Sequence, residues 1–425
     1  MRLLKEEETP VNWNSNRIGY YVEKHKGGAP LKPADFSSSG FPVIPKKAIK
    51  SGNRLLITNP TYCTIEFAKS NTRSIVDSSY TITTLRDLVP TGPTIGTVVN
   101  YTSDEEYVLS QGVYGLKLIN SLDKVYFAYL SNSSHYRKVM RRLMVGSTQV
   151  HIRTPEYLNL EIQVPPLAEQ KKIAQILSTW DKAITTTDRL LSNSQQQKKA
   201  LMQKLLTGKK RLLDENGVRF SGEWSSTTIQ NLFARVTTKN QGQSENVVTI
   251  SGQQGLINQK EFFNKSVASE ILDNYTLLRR GQFAYNKSYS NGYPMGAIKR
   301  LNRYEMAVVT TLYICFEIQS EKKADSNFWE QYFESGLLNQ GLSQVAHEGG
   351  RAHGLLNVKP ADFFGLKIPL PSIEEQAAIG QVLAHADKNV FVLKARVEFL
   401  KKEKKALMQQ LLTGKRRVKA DEEAA

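Results

Sequence analysis

The feature that most constrains this chain is an internal repeat. Residues 165–211 read PPLAEQKKIAQILSTWDKAITTTDRLLSNSQQQKKALMQKLLTGKKR, and residues 371–417 read PSIEEQAAIGQVLAHADKNVFVLKARVEFLKKEKKALMQQLLTGKRR. The two align without a gap at a constant offset of 206, and 19 of the 43 pairs from Glu169 to Arg211 are identical. Agreement at that level means duplication. Apolar residues recur in both copies with a period of 3.5, which predicts long helices. In the first copy Ile173, Trp180 and Leu201 form one row, with Leu177, Ile184, Leu191 and Leu205 on the next. In the second, Ile379, Ala386, Leu393, Leu400 and Leu407 match the first row, and Leu383, Val390, Val397 and Leu411 the other. A Pro precedes each copy, and Gly208 and Gly414 follow, the order expected of helix starts and stops. About 40 residues at 1.5 Å per residue make a rod of roughly 60 Å. The expected arrangement is intramolecular pairing of the two rods. Packing of each stripe on its own neighbouring domain, or self-association, is the alternative.

The duplication extends past the rods. Trp13 to Ile18 resembles Trp224 to Ile229, and LNLEIQVP (158–165) resembles FGLKIPLP (364–371), a strand ending in Pro. Between these landmarks lie two blocks of roughly 150 residues with little shared sequence and a similar grammar. Short strands are expected at Arg54–Thr58, Thr94–Tyr101 and Gly112–Ile119 in the first, and at Gln282–Asn286, Gly296–Leu301 and Val308–Ile318 in the second. An amphipathic helix then follows, over about Leu122–Met144 and Asp325–Ala346, and after it a Gly-containing polar loop at 146–151 and 349–353. The expected fold is α/β (α+β), with two globular domains separated by two helices in an antiparallel coiled coil. The boundaries expected are 1–165 and 213–371 for the domains, 166–212 and 372–417 for the helices, and 418–425 for a charged tail.

Charge narrows the partners. The chain has 57 Lys plus Arg against 40 Asp plus Glu, a net charge of +17. An excess of this size points to a polyanion, most often nucleic acid or an anionic membrane surface. It is spread over the first block and the rods, and the second block is almost neutral. No run approaches the roughly 18 apolar residues of a membrane span. The first ten residues carry Glu6, Glu7 and Glu8 and no apolar core, unlike a signal peptide. The only cysteines, Cys63 and Cys315, cannot form a disulfide framework or a zinc site and suit a reducing cytoplasm.

The P-x-L/I-x-E-Q entry, the long helix and the K-A-L-M-Q-x-L-L-T-G-K exit, repeated after each of two unlike blocks, resemble the specificity subunit of type I restriction–modification systems. The resemblance spans the whole chain in architecture and about a quarter of it in motifs. It implies a non-catalytic DNA-recognition subunit, each target-recognition domain reading one half of a split asymmetric site. It implies helices that set the unread spacer and help dock two methyltransferase subunits, with motor-nuclease subunits joining for restriction. It places S-adenosylmethionine, ATP and Mg on those partners and none in this chain. Two other readings stay open: a recognition module of a fused methyltransferase or nuclease, and a coiled-coil scaffold that binds nucleic acid without reading sequence.

No catalytic constellation is evident. Asn59-Pro-Thr-Tyr62 is similar to the Asn-Pro-Pro-Tyr of amino-methyltransferases, but Thr61 departs from it and no Gly-rich cofactor turn precedes it. A turn is the expected reading. Leu-Leu-Thr-Gly-Lys at 205–209 and 411–415 ends like a phosphate-binding loop, yet it closes a helix where that loop opens one. The six histidines show no metal-ligand spacing. For DNA, base readout needs polar side chains on groove-entering loops, with Lys, Arg and hydroxyls for phosphates. The candidates are Lys26, Lys32, Arg73, Ser147, Thr148 and Gln149 in the first block, and Lys287, Tyr289, Asn291, Arg351 and His353 in the second. The competing role for each is a solvated surface loop.

Overall fold

A computed structural model describes residue 3 and residues 9–50, 52, 54–252, 254–263, 272–346 and 356–419. The chain divides into two compact units: Met1–Thr187 with Arg396–Ala425, and Asp188–Ala395. Each unit therefore combines one globular block with a segment of each long helix.

In the first unit a four-stranded antiparallel sheet runs in the order Val98–Val99, Tyr80–Thr84, Val113–Leu118, Val22–Gly27. In the second, Ala297–Arg300, Phe283–Asn286, Ile314–Ile318 and Phe233–Val236 stand in the same order. The neighbouring strands correspond too. Tyr107–Leu109 lies antiparallel to Ile75–Val76 and parallel to Phe41–Ile44. Met306–Val309 lies antiparallel to Thr276–Arg279, and Val308 makes a parallel bridge to Val247. Two dissimilar sequences thus fold to one topology. They fill it differently: the first core packs Tyr126, Phe127, Tyr136 and Tyr157 among aliphatics, whereas the second stacks Phe283 on Phe316 at 5.3 Å with Phe233, Trp329 and Phe333 around them.

Several expected elements are split or shortened. The helix foreseen over 122–144 is two, Lys124–Ser131 and Ser134–Leu143, because Ser133 caps the second by accepting from the Tyr136 amide at 3.2 Å. The helix foreseen over 325–346 is also two, Ser326–Glu334 and Asn339–Val345, parted at Gly336 with φ +79°. The strand foreseen over 308–318 breaks at a turn closed by Tyr313 N to Thr310 O. Thr94–Tyr101 keeps only Val98–Val99 as strand, since Asp87 and Arg137 claim the polar groups before it. Thr61 and Tyr62 lie in the strand Thr61–Cys63, not in a turn.

The repeated motif is a junction, built once in each unit. The long helices span Leu167–Leu205 and Ile373–Leu411. At the start of the first, the Gln170 side chain accepts from the Asp123 amide at 2.8 Å and donates to the Ser121 and Pro165 carbonyls. Gln376 does the same with the Asp325 amide and the Lys323 and Pro371 carbonyls, and also accepts from Trp329 Nε1. The Gln of E-Q therefore ties each rod to its own domain. The Glu meets the exit motif of the other rod. Buried Glu169 takes Arg417, and buried Glu375 takes Arg211 and the Trp224 indole N–H. Gly208 and Gly414 sit at φ +68° and +70°, a conformation that strains any residue with a Cβ, and at Gly414 a Cβ would also strike Pro10. Only glycine lets the chain turn there and lay its Arg back onto the helix start.

Two further ion pairs give the helix direction. In the first unit Lys404 meets Asp181 at 2.6 Å, and in the second Lys198 meets Asp387 at 2.5 Å. In each unit high-numbered residues of one helix face low-numbered residues of the other, so the paired segments run antiparallel. Ile173 and Leu177 are buried in the first core together with Leu411, with Leu407 against them, and Leu400 is also buried. Leu383 and Ile379 join Leu205 in the second core, with Leu201 against them. Trp180, Ile184, Leu191 and Leu393 are half-buried. The stripes thus serve both expected roles: helix pairs with helix, and at their ends both pack on the domain core.

Candidate nucleic-acid interface

In each unit the post-helix segment and the loop that follows the second strand of the four-stranded sheet become neighbours. In the first unit Arg86–Asp87 pairs with Val150–His151, Arg86 opposite His151, and Ile152 N donates to Leu85 O at 2.9 Å. In the second, Leu356 N donates to Lys287 O at 3.0 Å. Ser147, Thr148 and Gln149 are exposed in the turn between the helix Ser134–Leu143 and the strand Val150–His151. Gly146 at φ +114° opens that turn, where a Cβ would strike the Gln149 carbonyl.

The partner loop of the first unit, residues 88–97, is held from behind by buried Asp87 and half-buried Arg137. Asp87 accepts from the amides of Val89 and Thr94, from the Thr94 hydroxyl at 2.7 Å and from Lys46 Nζ at 2.6 Å. Burial alone would raise this carboxyl, but the hydrogen bonds from Lys46 and Thr94 outweigh it and hold it below its ordinary range. Arg137 donates to the carbonyls of Gly92, Pro93 and Ile95 and to the Thr97 hydroxyl. Its burial lowers the guanidinium from its usual value, still far above neutrality.

The surface in front of this brace is cationic. Segments 85–97 and 134–156 hold Arg86, Arg137, Lys138, Arg141, Arg142 and Arg153 against Asp87 and Glu156 alone. Both acids are engaged, Asp87 by Lys46 and Glu156 by Arg153. Arg86, Arg141, Arg142, His151 and Arg153 are exposed. Such a rim suits phosphates, and the Ser, Thr and Gln of the turn suit base edges.

In the second unit the loop after Phe283–Asn286 exposes Tyr289 and Asn291. It is braced by Tyr293, whose hydroxyl donates to Glu334 at 2.6 Å and lies 2.8 Å from the Gly252 carbonyl, with Lys299 closing on both Glu334 and Tyr293. Lys287 is half-buried with Nζ 3.4 Å from the Val358 carbonyl, and burial lowers its pKa. Its ammonium is turned inward and not toward solvent. Arg351 and His353 lie outside the described residues.

Three of the sequence candidates stand elsewhere. Lys26 Nζ donates to the Ile75 carbonyl and lies over the Tyr80 ring face. Arg73 is exposed on the short turn Thr72–Ser74, and Lys32 is exposed beside the turn Pro33–Asp35. The sequence reading missed Arg86, Arg141, Arg142 and the Asp87–Arg137 brace. The Arg-Arg doublet closing an amphipathic helix, just before a Gly loop, was the available signal.

Residues 10–193 match the family of type I restriction modification DNA specificity domains. The chain is 25% identical over 431 residues to the type I restriction enzyme MjaVIII specificity subunit of Methanocaldococcus jannaschii, covering 96% of this chain and 94% of that one. Along nearly its whole length the chain is thus similar to a type I specificity subunit. It is also 26% identical over 348 residues to the putative MjaX specificity subunit of the same organism, covering 76% of each. Among solved structures, the S subunit of a type I restriction–modification system from M. genitalium superposes with a TM-score of 0.56 at 15% identity, over 96% of this chain and 98% of that one. A chain solved in work on complex assembly and conformational transition of the type I system superposes at 0.52 and 15% identity, over 95% and 98%. These likenesses show the fold. Among the described residues, no group of His, Cys, Asp or Glu could hold a metal ion, and no helix is long and apolar enough to cross a membrane.

Proposed function

We propose that this chain is the DNA-reading subunit of a type I restriction–modification complex, working in the cytoplasm on double-stranded DNA. Each unit reads one half of a split site through its pair of adjoining loops. The long helices fix the unread spacer and dock two methyltransferase subunits, to which motor-nuclease subunits are added for restriction. Methyl transfer with S-adenosylmethionine, and ATP- and Mg-dependent cleavage, belong to those partners, and this chain contributes recognition only.

One observation carries the reading. Two blocks with little common sequence build the same sheet order and set described residues after the paired helices beside the same sheet loop, yet furnish these places differently: Ser147, Thr148, Gln149 and Arg86 in one, Tyr289 and Asn291 in the other. A shared scaffold with divergent loops is what two readers of two different half-sites require. The test is to co-express the chain with its genomically adjacent methyltransferase and map adenine methylation across the host genome. A single split asymmetric motif methylated on both strands is the expected result. Methylation that is the same without this chain would overturn the reading.

A further inference from the structure

The braced loop of the first unit carries a feature that phosphate binding does not explain. Leu88 and Val89 are 64% and 47% exposed at its tip, directly after buried Asp87. Val145, also exposed, bridges His151, which pairs with Arg86. Gly92 packs so closely on Met144 and Val150 that a Cβ there would collide with the Met144 sulfur. The apolar tip is therefore fixed against the post-helix segment, with the cations described above around it. An apolar patch held rigid inside a basic rim has paid its ordering cost before any partner arrives. The equivalent loop of the second unit exposes Tyr289 to the same 64%, so both loops lead with a large apolar side chain.

Resting on the DNA-reading function above, we propose that Leu88 and Val89 form an apolar reading tip that packs on thymine methyl groups in the major groove of the half-site bound by the first unit. Cationic side chains at the rim complement DNA in charge, and the thymine C5-methyl is the one apolar group a base presents in that groove. Branched aliphatic side chains on a loop braced by Asp87 and Arg137 give a shallow contact surface of that chemistry. Arg86, Arg141 and Arg142 hold phosphates on either side.

The test uses duplexes containing the mapped site, with each thymine replaced in turn by deoxyuridine, which removes a methyl group and nothing else. Binding is measured with the full-length chain in its co-purified complex. The wild-type complex should bind about fourfold more weakly at one or two positions of a single half-site, the loss expected for one buried methyl at about 0.8 kcal/mol. The L88A/V89A variant should be indifferent at those positions and keep every other response. Both residues are exposed, so its melting temperature should match wild type. An identical deoxyuridine profile in the two proteins would overturn the proposal. Strong 2-aminopurine fluorescence at the contacted step in the wild-type complex, lost in the variant, would replace methyl packing by a wedge between bases and overturn it too. If the wild-type complex binds the mapped site no better than unrelated DNA, it is the DNA-reading function itself that fails.

Discussion

Arg417 grips Glu169 with Nε and an NH2 nitrogen, each 2.8 Å from its own carboxylate oxygen, and the same grip recurs between Arg211 and Glu375, 206 positions earlier for the Arg and later for the Glu. Glu169 is 4% exposed and Glu375 1%. Two carboxylates of the repeated E-Q motif are thus buried against two arginines of the repeated exit motif. Removing either arginine strands a buried charge.

Arg417→Gln should therefore destabilise the first unit by about 1–3 kcal/mol. That is less than the 3–5 kcal/mol typical of a fully buried pair, because the Arg417 side chain is 42% exposed. Arg211→Gln should cost more, since the Arg211 side chain is only 20% exposed. Adding Glu169→Gln to Arg417→Gln should recover part of the loss. Chemical denaturation of the three variants checks the order, and a costlier double variant would contradict it.

Acid should act through Asp87. Its carboxyl is held below the ordinary range in the fold. A depressed carboxyl contributes stability that is fully present above its unfolded value of about 3.9 and is lost as pH falls through the lower folded value. Stability should thus drop in part on acidification below about pH 4. Asp87→Asn should be less stable at pH 7 and show a flatter acid limb. Parallel limbs in the two proteins would assign the acid sensitivity to other carboxylates.

The helix stripe gives a harsher test. Leu400 is buried and Leu407 packs against the first core. Leu400→Asp with Leu407→Asp places two unpaired charges there, at a cost of several kcal/mol. The double variant should lose cooperative unfolding of the first unit, read by circular dichroism, and should fail to co-purify with its methyltransferase. Normal assembly would show that the stripe packs elsewhere.

What could be read from the sequence follows the range of the forces involved. The rods were legible because heptad spacing, a preceding Pro and a following Gly are local signals, and Glu169, Gln170 and Gly208 are matched in kind by Glu375, Gln376 and Gly414. The shared topology of the blocks was only partly legible. Tyr80–Thr84 and Phe283–Asn286 hold the same place in the sheet, but burial on both faces erases alternation and leaves aliphatic and aromatic cores looking unrelated. The interface was least legible. Lys26 and Lys287 read as free cations because nothing in the sequence shows that the Ile75 and Val358 carbonyls wait for them. The importance of Asp87 and Arg137 depends on contacts across 41 and 45 residues, which no periodicity reports.

Specificity should be modular. Replacing residues 13–164 with those of another specificity subunit exchanges the loops 88–97 and 146–151 with their own scaffold. One half of the methylated motif should change and the other should stay. A change in both halves would mean that the units do not read independently.

Spacer length should follow the rods only if both are changed together. Asp181 and Lys198 are 17 positions apart on one helix, and so are Asp387 and Lys404 on the other. Seven residues added after Asn193 alone make the two intervals unequal, so one ion pair and its neighbouring apolar contacts must be given up. Seven added after Asn193 and seven after Phe399, the matching position at the 206 offset, keep the intervals equal and the stripe in phase. The single insertion should lower the melting temperature. The paired insertion should preserve it while lengthening each rod by about 10 Å, close to three base pairs at 3.4 Å each. The methylation map of the paired variant should then show both half-sites unchanged, with an unread gap about three base pairs longer. An unchanged gap in a stable, active complex would mean that something other than the helices sets it.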